Sequence, residues 1–166
     1  MKRLFSSALF VTLFLSFYAT GEGVAVARGR GDLRPSHAVP ETHQAVKHFN
    51  RGVRYSLRKD YDKAIEEYKQ SLLYNNRVAI VHSNLGFVYL DKGEYDLAIE
   101  SQKRALAIDP SSINAFYGIA MAYEKKGSKE NAIKSWEQFL EVADPHTPWW
   151  KKARERLKRL KAEKDT

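Results

Sequence analysis

Residues 79–110, AIVHSNLGFVYLDKGEYDLAIESQKRALAIDP, decide the fold. Leu85, Gly86 and Tyr89 fall at helical spacing, and the polar run Asp91-Lys92-Gly93-Glu94 then breaks the pattern. Ala98, Ile99 and Gln102 resume it until Asp109-Pro110, where the missing donor of proline stops a helix. The stretch predicts two helices of about 14 residues folded back on each other. Gly93 suits the left-handed residue that ends the first one.

The same hairpin recurs. A shift of 34 residues aligns Gly52, Gly86 and Ala120, and likewise Tyr55, Tyr89 and Tyr123. It also aligns Ala64, Ala98 and Ala132, each followed by Ile (Ile65, Ile99, Ile133), and it aligns Lys59, Gly93 and Gly127. Small residues at 52, 86, 120, 64, 98 and 132 let paired helices approach closely, and the tyrosines fill the space between. Lys59 stands in a glycine column and is expected to be mildly strained. One hairpin cannot bury its own apolar face, but a stack of about three can.

This spacing resembles the tetratricopeptide repeat, W-x2-L-G-x2-Y, then A-x3-F, then P. The second copy has His82, Leu85, Gly86, Tyr89, Ala98, Gln102 and Pro110 at those positions. The third has Phe116, Ile119, Ala120, Tyr123, Ala132 and Trp136, and the first has His48, Arg51, Gly52, Tyr55, Ala64 and Tyr68. The departures are His48 and His82 at an aromatic position, Arg51 at an apolar one and Gln102 at another aromatic one. The resemblance implies an all-α, right-handed α-solenoid of three hairpins, 45–78, 79–112 and 113–146. A basic capping helix over 147–164 follows. Thr147 is a good N-cap there and Pro148 a good first residue. Trp149, Ala153, Leu157 and Leu160 share one face of it.

The resemblance also implies a concave groove lined by the first helix of each pair. Carried across, its positions are Val46, Phe49, Val53, Ser56 and Leu57 in the first copy. They are Ile80, Ser83, Phe87, Leu90 and Asp91 in the second, and Asn114, Tyr117, Met121, Glu124 and Lys125 in the third. Val53, Phe87 and Met121 form an apolar row one repeat apart. Such a groove implies a protein or peptide partner; the competing reading is that the leader or the capping helix folds over it. The family's clamp for C-terminal carboxylates uses Lys, Asn, Asn, Lys and Arg. Phe49, Val53, Asn84, Asn114 and Gly118 stand at those positions, so only Asn84 matches.

Composition narrows the remaining classes. There is no cysteine, which excludes disulfides and thiolate chemistry. The five histidines (His37, His43, His48, His82, His146) show no metal-ligand spacing, and packing explains His48 and His82 better. No nucleophile motif or phosphate loop occurs, and Glu66, Glu67 and Glu137 are expected on the surface. No catalytic residue, metal or cofactor is expected. The net charge is +8 and concentrates near the end: residues 151–164 hold eight Lys/Arg against two Glu. That tail is read as the solvated face of a cap. Docking on an anionic membrane or polymer is the alternative, and nucleic acid is not expected.

The N-terminus carries an address. Lys2-Arg3 precedes an uncharged, mostly apolar run from Leu4 to Ala19, shorter than the ~20 residues of a spanning helix. Ala25-Val26-Ala27 supplies small residues ahead of Arg28; Ala19-Thr20-Gly21 is a second candidate cleavage site. Residues 1–27 are expected to be a cleaved signal peptide, with an uncleaved N-terminal anchor as the alternative, and 28–44, rich in Gly, Pro and Arg, a flexible leader. The whole chain therefore reads as an exported, periplasmic or secreted, non-catalytic scaffold.

Overall fold

The computed structural model describes residues 38–163. The expected signal peptide lies outside the described residues, as does the leader before Ala38. Seven helices follow one another: α1 (Ala38–Leu57), α2 (Tyr61–Tyr74), α3 (Ala79–Lys92), α4 (Tyr95–Ile108), α5 (Ile113–Lys126), α6 (Lys129–Val142) and α7 (Pro148–Ala162). No strand occurs among the described residues. α1 pairs with α2, α3 with α4 and α5 with α6; α2 packs on α3, α4 on α5 and α6 on α7, so the hairpins stack into a solenoid. α1 begins at Ala38, ahead of the boundary expected at residue 45, so the last part of the expected leader is helical.

Each hairpin turns through the same backbone bonds. Tyr89 C=O accepts from Glu94 N–H at 2.9 Å, and Gly93 closes the helix at φ 85°. Tyr123 C=O accepts from Ser128 at 3.0 Å, with Gly127 at φ 78°. The first turn repeats this, Tyr55 C=O accepting from Asp60 at 3.0 Å, but Lys59 takes the left-handed position at φ 61°. The pattern caps otherwise unsatisfied helix carbonyls.

Close approach follows from the small residues. Ala64, Ala98, Ala120 and Ala132 have no exposed surface. A Cβ on Gly52 would stand 2.7 Å from the Tyr68 ring, and one on Gly86 2.8 Å from Gln102 Nε2. Gln102 is wedged further: a Cβ on Gly118 would also collide with it. Gln102 thus stands in the column of Tyr68 and Trp136, packed between Gly86 of α3 and Gly118 of α5. Gln102 Nε2 donates to Ser83 C=O at 3.1 Å, while Gln102 Oε1 and Ser83 Oγ are buried without a partner.

The departures in the first repeat form one cluster. Glu67, expected on the surface, is buried. Its carboxylate accepts from Arg51 Nη2 at 2.8 Å and contacts His48 Nδ1 at 2.7 Å, and His48 stacks on Tyr74 at 5.7 Å. Glu67 is therefore tolerated at a buried position because the partly exposed Arg51 supplies its counter-charge. His82 is also buried, and its Nε2–H donates to Asn76 C=O at 3.0 Å.

Candidate functional site

Two adjoining cavities lie along the concave side, and Phe87 lines both. The first, about 250 Å³, is formed by Val53, Ser56 and Leu57 of α1, Tyr68 of α2, and Asn84, Phe87, Val88 and Asp91 of α3. The second, about 670 Å³, opens between α3, α5, α6 and α7. Its walls include Phe87, Asn114, Tyr117, Phe139 and Trp149; its rim is built from the α4–α5 and α6–α7 loops, with Asp109, Ser111, Ser112, Asp144 and Thr147. Tyr117 is the centre of an aromatic cluster. Its ring meets Trp136 at 5.3 Å, Phe139 at 5.5 Å and Trp149 at 5.6 Å, each edge-on. Burial pushes the Tyr117 phenol above its ordinary pKa; Arg156 opposes the shift and Glu124 adds to it.

The residues assigned to the groove divide into four groups. Val53, Leu57, Phe87, Asn114 and Tyr117 line the two cavities, and Leu57 is 79% exposed. Phe49 and Met121 are half-buried and pack on the core instead, Phe49 against the Tyr68 ring at 6.0 Å. Ile80 is 55% exposed and lines neither cavity. Ser83 and Leu90 are corrected: both are buried. They lie two turns apart on α3, where the neighbouring helices cover them.

The capping helix also differs from its expectation. Ala153, Leu157 and Leu160 are buried, but Trp149 is 58% exposed and turns to the cavity. Trp150 takes the inward place, its Nε1–H donating to Leu140 C=O at 3.1 Å. The start of α7 fixes this choice: Thr147 Oγ1 caps Trp150 N–H at 3.3 Å and Pro148 is the first helical residue. Sequence spacing puts Trp149 and Ala153 on one face, but that face is broad enough to straddle core and groove.

Glu124, carried to a groove position, instead holds the cap. Its Oε1 accepts from Arg156 Nη1 and Arg159 Nη2, both at 2.8 Å, and its Oε2 accepts from Trp136 Nε1–H at 2.9 Å. Lys161 pairs with Glu137 at 2.7 Å. Part of the basic tail is thus committed to the fold. Sequence reasoning missed the loop residues Asp109, Ser111, Ser112 and Asp144 because it followed only the first helix of each pair. Their position just before α5 and α7 is the signal that finds them. Among the described residues no group of three or more His, Asp or Glu is placed to hold a metal ion, and no helix is long and apolar enough to cross a membrane.

The architecture is shared with solved structures. The Arabidopsis OM64 TPR domain superposes with TM-score 0.66 at 19% identity, covering 72% of this chain and 98% of that one. The second TPR domain of human RPAP3, in complex with an HSP70 peptide SGPTIEEVD, gives 0.66 at 24%, covering 73% and 98%. The Sgt2 TPR domain from Aspergillus fumigatus gives 0.67 at 25%, covering 73% and 81%. No curated protein matches the chain. Residues 52–93 and 88–127 match the TPR repeat family model, and 113–146 match the tetratricopeptide repeat model. Those matches run from residue 52 to 146, over half of the chain, and place it in the tetratricopeptide repeat family.

Proposed function

We propose that the protein is a non-catalytic scaffold that holds an extended protein segment in its concave groove. One observation carries this reading: apolar side chains on three successive first helices and the cap surround two cavities that share Phe87. Such surface is costly to leave in water and marks a docking site. The likeness to the RPAP3 domain, which binds an HSP70 peptide, supports a groove of this kind. The ligand class differs, because Phe49, Val53, Asn114 and Gly118 stand where a carboxylate clamp has Lys, Asn, Lys and Arg.

The pattern of residues 1–27 supports export, and fold-level analogy adds a place as an accessory factor of an envelope assembly. N-terminal sequencing of the exported protein tests this; a first residue of Arg28 is expected, and an intact Met1 in the mature protein would overturn it. Crosslinking in the native compartment tests the groove. The protein is expected to capture a partner that Phe87→Ala loses, and equal capture by the variant would sink the assignment.

A second reading rests on Lys151, Lys152, Arg154 and Lys158, which are exposed on α7. They would dock the cap on an anionic surface. Cutting the chain near residue 148 cannot separate the two readings, because it removes Trp149 from the groove. Replacing Lys151 and Lys158 by Glu leaves the cavity walls intact. Loss of binding to phosphatidylglycerol vesicles with partner capture unchanged favours the second reading.

A further inference from the structure

The charge of the groove opposes that of the chain. The protein carries +8 overall, yet neither cavity is lined by a lysine or arginine. The charged residues lining them are Asp91, Asp109 and Asp144. None of these three takes part in an ion pair among the described residues, whereas Asp60, Asp62, Glu67, Glu94, Asp96, Glu100, Glu124 and Glu137 all do. The two carboxylates on the larger cavity are also pre-set. Asp109 Oδ1 accepts from the Ser111 N–H at 3.0 Å and hydroxyl at 2.7 Å, and Asp144 Oδ1 accepts from His146 N–H at 2.8 Å.

We propose that the larger cavity receives the lysine or arginine side chain of an extended, otherwise apolar segment, so that the partner of the groove is a basic peptide. This deepens the groove reading and rests on it. The aliphatic stem of such a side chain packs against Tyr117, Phe87 and the exposed Trp149, and its charged head reaches the aspartates at the rim. Trp149 already shows that it accepts a cation: Lys152 Nζ stands 5.9 Å from its ring centroid. Lys152 itself does not line the cavity. An acidic segment would meet those unpaired carboxylates with like charge.

A library of random nonapeptides, acetylated and amidated at the ends, is panned on the full chain and counter-selected on Phe87→Ala. Enriched sequences are expected to carry Lys or Arg at one position between apolar residues. A selected peptide and its analogue with norleucine for the cation are then measured by fluorescence polarisation. Asp109→Asn with Asp144→Asn keeps the Oδ1 acceptors of both loops and should weaken the cationic peptide roughly three- to tenfold, leaving the norleucine analogue unchanged. Neutral or acidic enriched sequences, or equal binding by the double variant, overturn the charge assignment while the groove stands. A library with no Phe87-dependent binder overturns both.

Discussion

Trp149 meets Tyr117 edge-on, with ring centroids 5.6 Å apart and planes at 77°. Through that contact the capping helix, whose usual task is to cover the last repeat, becomes a wall of the concave site. Cap and groove are one structure at this end of the stack.

Trp149→Ala should therefore act more on binding than on folding. Its side chain is mostly exposed, and loss of the edge-on contact with Tyr117 should lower stability by no more than about 1.5 kcal/mol. Groove peptides should lose at least about 2 kcal/mol, since an aromatic anchor in a pocket is a typical hot spot. Calorimetric melting beside a peptide titration checks this; unchanged affinity would remove Trp149 from the site.

Glu124→Gln should loosen α7. The amide oxygen can still accept from Trp136 Nε1–H, but both arginines lose their counter-charge. The Glu124 side chain is 13% exposed, and the loss should be about 1–3 kcal/mol. Hydrogen exchange should speed up in α7 before it does in α1 to α4. Uniform exchange across all helices would contradict the idea that Glu124 pins the cap.

Gly86→Ala should cost about 1–3 kcal/mol, because its Cβ falls within 2.8–2.9 Å of Gln102 and Gly118 closes off the other side of that side chain. The same change in a Gln102→Ala background should cost much less. Urea unfolding of the four proteins gives the coupling; additive costs would show that something other than Gln102 fills the crossing.

Lys59→Gly should stabilise the protein by about 0.5–1 kcal/mol. A left-handed conformation costs a side-chain-bearing residue about 1–2 kcal/mol, part of which glycine returns as unfolded-chain entropy. The other two turns already use glycine there. A lower melting temperature in the variant would mean that the Lys59 side chain has a role that its backbone does not reveal.

Much of this was legible in the chain itself. The recurrence of Gly, Ala and Tyr every 34 residues settles the hairpins, since small side chains at fixed spacing allow only one close packing of paired helices. The turn glycines and Thr147-Pro148 are local signals, decided by backbone geometry within a few residues. Which helix face is left open was not local. Ser83 and Leu90 share the groove side of α3 in any helical projection, but the neighbouring helices cover them, and only the stack shows it. Glu67, Gln102 and Glu124 likewise depart from a surface, aromatic or groove expectation because partners distant in sequence, His48 and Arg51, Gly118, Arg156 and Arg159, determine what each position can hold. Periodicity records what every repeat has in common; the site arises where repeats differ and where loops from separate hairpins converge, and that is set by packing alone.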